Sequence, residues 1–263
     1  MNYCQSFCRT IQRLCNSAGE AAKQPYTIDF TLDTDGMSCN LFYEQTVANA
    51  ATVDWGDGTT TTTSGTIAAR QNVTHTYSTA GNYRITINIL TGINDFLPDR
   101  PNYAGARFLI FSGGTVTYSA IVIPDGVTTI KNYVFRIMQS APIDYTLPDS
   151  IQTIGYETFY EAGFAKTTLP DSLVSIDYGG FYHNTITAIT IPSGVTSIGE
   201  HAFRYCSRLA SVTFLGQTPP TFGAYSFGNI ASGAIVYIPS GTLSAYTAAF
   251  GSSGLANKTI VEQ

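Results

Sequence analysis

Few residues of this 263-residue chain are equipped for chemistry, and their spacing decides what that chemistry could be. His75 stands in the run His75-Thr76-Tyr77, downstream of Asp54-Trp55-Gly56-Asp57-Gly58, and raises the question of acid–base catalysis. No Ser or Cys stands in a recognisable nucleophile elbow to work with it. His75 therefore reads as a fixed hydrogen-bonding partner and the chain as no enzyme, while His183 and His201 are too isolated to argue from. Asp33, Asp35, Asp54 and Asp57 offer the hard oxygens that calcium prefers, yet Asp33-Thr34-Asp35-Gly36 only opens a calcium loop and lacks its distal glutamate, which leaves turn formation as their expected role. Cys4, Cys8 and Cys15, three of the five cysteines, match no paired zinc spacing. Reduced packing thiols are expected, with no metal and no cofactor.

A second set of residues recurs at a fixed interval. Arg136, Tyr160, Tyr182 and Arg204 form one series, and Asn132, Tyr156, Tyr178 and Glu200 form another four residues earlier. Tyrosine presents an apolar face and a hydroxyl at low entropic cost, so tyrosines bordered by arginines suit a sugar or a protein surface. The same rings could instead pack sideways on their neighbours. Which reading applies depends on the elements that position them.

Those elements repeat. Ile123-Pro124, Leu147-Pro148, Leu169-Pro170, Ile191-Pro192, Phe214-Leu215 and Ile238-Pro239 follow one another at steps of 22 to 24 residues. Six positions beyond the first four prolines stand Ile130, Ile154, Ile176 and Ile198; the phenylalanines Phe135, Phe159, Phe181, Phe203 and Phe250 keep the same period, and Phe227 in the degenerate fifth unit comes one residue late. A period in the low twenties marks a solenoid, whose units cannot bury their apolar side alone and stack to make a continuous interior. Each proline, lacking an N–H, should end a short strand; a second short extended piece and a turn should then return the phenylalanine to the core. Equivalent positions then form columns about 4.8 Å apart, and a helical turn would bring the two tyrosine series onto one face.

The unit "IPSGVTSIGEHAFRYCSRLASVTF" resembles the BspA-type leucine-rich repeat, with Cys206 at that family's buried cysteine position. The resemblance covers about residues 118–260 and implies a β-solenoid of about six coils, ending in a cap over "IVYIPSGTLSAYTAAF". It also implies adhesion to matrix or host proteins. "YVFRIMQS" and "GGFYHNT" lack the cysteine, which therefore reads as optional packing. The lead-in "ARFLIFSGGTVTYSA", 106–120, is expected as a hairpin closing the first coil, since open strand edges must be covered.

Ahead of the repeats the pattern alternates with period two. "YTIDFTLD", "VDWGDGTTTTTSGT" and "HTYSTAGNYRITINIL" predict a small antiparallel sandwich in which Trp55 plugs the core and Asp57-Gly58 forms a tight turn. The WGDG turn, the later HTY and Gly81-Asn82-Tyr83 resemble a PKD domain over about 26–91. At the N-terminus, Cys4, Phe7, Ile11, Leu14, Ala18 and Ala21 alternate at steps of three and four, a heptad seam on a short amphipathic helix that needs a partner. The expected organisation is a helix over 1–24, a PKD-like β-sandwich over 25–92, a linker over 93–105 and the repeat solenoid over 106–263.

A net charge of −5 and a pI near 5.0 supply no field for phosphate, so nucleic acid and anionic membranes are not expected partners. No apolar run is long enough to insert into a bilayer. The start of the chain shows no signal peptide, because Arg9 and Arg13 interrupt any apolar stretch. That tilts the expectation toward an exposed bacteriophage virion component. Its N-terminal helix would dock on other virion or surface-assembly proteins, the chain would form a homo-oligomer, and its outer surface would bind host-surface carbohydrate or protein. The alternative is a BspA-like adhesin on a bacterial cell surface.

Overall fold

The structure, a computed structural model, describes residues 25–44, 51–63, 70–88, 95–96, 109–138, 142–166 and 168–263. The predicted assembly helix with Cys4, Phe7, Ile11, Leu14 and Ala18 lies outside the described residues. The rest is mainly β, as the alternating patterns imply.

Alternation shows first in β1 (Tyr26–Leu32), where Tyr26, Ile28, Phe30 and Leu32 point inward and the residues between them outward. β1 pairs antiparallel with β6 (Gly81–Asn88), which continues to β3 (Thr52–Asp54) and β4 (Thr60–Thr62). A second antiparallel sheet joins β2 (Met37–Glu44) to β5 (Arg70–Tyr77). Aromatic rings link the two sheets. Phe30 of β1 meets Tyr77 of β5 edge-on at 5.7 Å, and the Tyr77 hydroxyl donates to the Trp55 carbonyl at 3.0 Å. Trp55 is fully buried and its indole N–H donates to the Thr61 hydroxyl at 2.9 Å. Gly56 follows at φ +80°, where a Cβ would lie 2.5 Å from the Arg84 carbonyl oxygen; only glycine fits this turn.

The lead-in expected as a hairpin does something else. β8 (Leu109–Ser112) pairs with β2 and β9 (Val116–Val122) pairs with β1, so the two strands enter different sheets. β9 also pairs in parallel with β11 (Asp144–Thr146), which makes the first solenoid strand a continuation of the antiparallel sheet. Within the stretch expected as linker, β7 (Asp95–Phe96) pairs in parallel with β10 (Thr129–Ile130), so the two bodies interleave along the chain. The reason is physical: β9 covers the open edge of β1 and of the coil stack at once, which a separate hairpin could not do.

The solenoid follows the repeat. β10, β12 (Thr153–Ile154), β13 (Ser175–Ile176), β15 (Ser197–Ile198) and β17 (Thr221–Phe222) pair in parallel, stacking Ile130, Ile154, Ile176, Ile198 and Phe222 in register. On the other side β14 (Ala188–Ile191), β16 (Ser211–Phe214), β18 (Ile235–Ile238) and β19 (Thr259–Glu262) form a second parallel sheet, and β14 and β18 stop directly before Pro192 and Pro239. Between the sheets the phenylalanines are fully buried. Phe135, Phe159, Phe181, Phe203 and Phe227 stack ring on ring at 4.9–5.3 Å, within 17° of parallel. Phe250 leaves this column. It ends α1 (Leu243–Phe250), which lies over the last coil and packs on Phe214 and Phe222, closing the apolar interior.

The turn that carries each phenylalanine is not helical. It is a chain of overlapping reverse turns, with Tyr160 N–H donating to Glu157 and Ala162 N–H to Phe159 in one coil, and Arg204 to His201 and Cys206 to Phe203 in another. Among the described residues every non-glycine with positive φ stands two positions before or after a stacked phenylalanine: Tyr133, Glu157, His201 and Tyr225 before, Ile137, Glu161, His183, Tyr205 and Asn229 after. Each such conformation costs on the order of 1 kcal/mol. What holds them is the next coil. Tyr133, Ile137, Glu157, Glu161, His183, His201, Tyr205 and Tyr225 each donate their backbone N–H to a carbonyl one coil further on.

Candidate functional site: an aromatic band on the turns

The left-handed turns project side chains outward in register, and the tyrosines meet. Tyr156 stacks on Tyr178 at 4.7 Å and 8°, and Tyr160 on Tyr182 at 4.6 Å and 5°. Both series therefore form continuous columns, though a helical turn plays no part. The column ends differ from the sequence register. Asn132 turns inward, its amide oxygen accepting the Tyr156 backbone N–H at 2.8 Å, and Tyr133 takes its place against the Tyr156 ring at 5.3 Å. Glu200 is half-exposed, and His201 takes its place against Tyr178 at 5.2 Å.

The two arginines are held by the band itself. Arg136 donates from Nε to Glu157 at 2.6 Å and lies over the Tyr160 ring at 4.5 Å. Glu157 is buried there because Gly179 stands opposite it; a Cβ at that position would sit 3.1 Å from Glu157 Cγ. Arg204 lies between the rings of Tyr205 and Tyr225, at 4.9 and 5.1 Å. It donates from Nη1 to His201 Nε2 at 2.9 Å, and His201 Nδ1 donates to the Tyr178 hydroxyl at 2.9 Å. An acceptor at Nε2 and a donor at Nδ1 describe a neutral imidazole. Burial, and then the Arg204 charge, hold its pKa below the usual 6.5 against the pull of Glu200. Burial likewise raises the Tyr160 and Tyr182 hydroxyls, so both remain protonated donors.

Tyr133, His201, Tyr205 and Tyr225 belong to the band although the sequence reading passed over them. Their signal was present: they occupy the positions two before and two after the core phenylalanine. Nothing in the letters says that a chain of turns rather than a helix leads into and out of that residue.

The other candidate chemistry is committed elsewhere. His75 Nε2 lies 2.7 Å from Asp57 Oδ2, and the ring stacks on Trp55 at 4.7 Å. Asp57 also accepts the Thr59 backbone N–H and hydroxyl. Its partial burial favours the neutral acid, but these bonds and His75 outweigh it and hold the carboxyl below its usual range. Asp33, Asp35 and Asp54 each accept through Oδ1 a backbone N–H, of Thr115, Ala80 and Gly56 respectively, which fixes turns. Among the described residues no three His, Cys, Asp or Glu side chains converge as a metal would require. Cys206 donates its thiol to the Phe181 carbonyl, and Asn184, at the same place one coil earlier, donates to the Phe159 carbonyl. In that coil an amide makes the bond that the thiol makes in the next.

Comparison with known proteins follows this architecture. No curated protein matches the chain. A solved structure, a leucine-rich repeat protein from Bacteroides ovatus ATCC 8483, is similar with 21% identity over 46% of this chain and 43% of that one, at a TM-score of 0.33. The chain thus spans less than half the length of that protein. The family model described as BspA type leucine rich repeat region matches residues 110–179 and 137–257 in 6 copies, more than half of the sequence. The chain, with its in-register coils and stacked phenylalanines, belongs to the BspA-type leucine-rich repeat family.

Proposed function

We propose that this chain is a non-enzymatic attachment protein displayed on a surface, with the aromatic band as its ligand face. The observation that carries the reading is the band itself: tyrosine, histidine and arginine side chains in register on the outside of a self-supporting stack. Such a surface binds and orients; its titratable groups are paired with one another rather than poised around a reacting centre. The family match supports a surface or adhesion role. The antiparallel body with its Trp55–Asp57–His75 turn is read as a PKD-like module that holds the solenoid away from its anchor.

Two settings fit this role. In the first the protein is an exposed part of a bacteriophage virion, and the heptad seam of Cys4, Phe7, Ile11, Leu14 and Ala18 docks several copies in an assembly. In the second it is carried on a bacterial cell surface and holds host or matrix proteins. Copies displayed together raise a weak contact by avidity in either case.

Fluorescently labelled chain should attach saturably to intact bacterial cells in the first setting, and to mammalian cells or matrix-coated surfaces in the second, with unlabelled chain competing. A variant carrying Tyr160→Ala, Tyr182→Ala and Tyr225→Ala should lose at least about tenfold in attachment, one unit of RT ln 10. Undiminished attachment by that variant, or none by the wild type to any of these surfaces, sinks the reading. Mass spectrometry of purified phage particles and of bacterial envelope fractions separates the two settings.

A further inference from the structure

The four tyrosines that first suggest a ligand face have their ring faces occupied. Tyr156 lies between Tyr133 and Tyr178, and Tyr178 between Tyr156 and His201. Tyr160 lies between the Arg136 guanidinium and Tyr182, and Tyr182 between Tyr160 and Tyr205. They show edges and hydroxyls to solvent. The column ends differently. Tyr225 is 54% exposed and Tyr205 37%, the two most open tyrosines of the band. The next coil sets Ser252 against Tyr225, where earlier coils set a ring.

We infer that the ligand seat of the band is this end, the Tyr205–Arg204–Tyr225 group, and that it takes a glycan. The inference rests on the attachment reading above and narrows it to one locus and one ligand class. A sugar presents an apolar C–H face and a rim of hydroxyls. The open Tyr225 face matches the first; the Tyr205 hydroxyl, the half-exposed Glu200 carboxylate and the Arg204 guanidinium match the second. Arg204 is fixed before any ligand arrives, clamped between two rings and bonded to His201, so little side-chain freedom is lost on binding. Its Nε–H is buried without a hydrogen-bond partner. The exposed aliphatics stand on other elements, Val174 before β13, Leu215 after β16, Leu243 in α1 and Val261 in β19, so the open surface of the seat is one ring within a polar rim, the scale of a sugar.

The test uses the labelled full chain on the surface to which it attaches, after treating those cells with periodate, which cleaves vicinal diols of glycans, or with protease. Attachment should survive protease and fall at least tenfold after periodate. Tyr225→Ala alone should lower it by a similar factor and Tyr225→Trp should restore it. Loss after protease with survival of periodate identifies a protein ligand; it overturns the glycan inference and leaves the attachment reading standing. Attachment indifferent to Tyr225→Ala, with a wild-type melting temperature for that variant, overturns the locus. No attachment to untreated cells fails the underlying reading, and the inference with it.

Discussion

The antiparallel body and the coil stack solve the same problem, closing a β core, in opposite ways. In the antiparallel body each large residue is used once. Trp55, Tyr77, Phe30 and His75 interlock at angles that range from 12° to 88°, and no two occupy equivalent places. In the stack one solution is reused, with Phe159, Phe181 and Phe203 lying nearly parallel at a constant step. Uniqueness gives the first body a core in which every part depends on distant parts of the chain. Repetition gives the second a core in which each coil depends on its two neighbours, which permits an outer face to vary while the interior stays constant. The two meet in β9, which is hydrogen-bonded to both.

The largest effects should come from the two cores. Trp55→Ala and Phe181→Ala should each cost about 3–5 kcal/mol in denaturant unfolding. The comparison sharpens within the stack, because Phe181 lies between Phe159 and Phe203, each nearly parallel to it. Phe181→Leu keeps most of the apolar volume and loses both ring pairs, so it should cost about 1–3 kcal/mol, two aromatic pairs. No cost for Phe181→Leu would mean that the column acts as area alone and not as ring-on-ring packing.

Next in size are the column positions that differ in chemistry. Asn184 donates to the Phe159 carbonyl and accepts the Phe164 N–H, both buried, so Asn184→Ala should cost about 2–3 kcal/mol through unsatisfied backbone groups. Cys206 makes one bond to the Phe181 carbonyl, and Cys206→Ala should cost about 1 kcal/mol. Asn184→Cys should fall between them, since it restores the donor and not the acceptor. Thermal denaturation of the three variants checks the ranking.

The smallest effect is a difference in pH response. His201 binds a proton less readily when folded, so its neutral form's contribution to the stack is complete above its usual 6.5 and is lost as pH falls through the lowered folded value. Asp57 is also lowered when folded, from 3.8, so its contribution to the antiparallel body is complete above that value and is lost only in stronger acid. Hydrogen exchange followed from pH 7 to 3 should show the turns around His201 and Arg204 loosening first and the Trp55 turn last. His201→Asn should remove the earlier step. Simultaneous loosening would show that neither group governs its region.

Much of this was legible before any coordinate. The proline and phenylalanine periods fixed the coil, its strand ends and its buried column, because stacking in register demands the same residue at the same place. Alternation in "YTIDFTL" gave β1 its inward face, and Trp55 its place as plug, for equally local reasons. The band was half legible. Tyr156, Tyr160, Tyr178 and Tyr182 could be aligned by counting, whereas Asn132 and Glu200 proved to be backbone and rim residues.

What the letters settled by themselves, then, is every feature that depends on a residue's own chain neighbours or on a fixed period: strand alternation, the coil, the buried column, the turn glycines. Tertiary structure alone decided the features that need a partner far along the chain. Whether Tyr133 or His201 can hold a left-handed backbone depends on an N–H bond to the next coil, and propensity alone would have asked for glycine, as at 179. Whether β9 ends one body or begins another depends on which edges stand open beside it, a fact of three-dimensional closure that no local run of residues encodes.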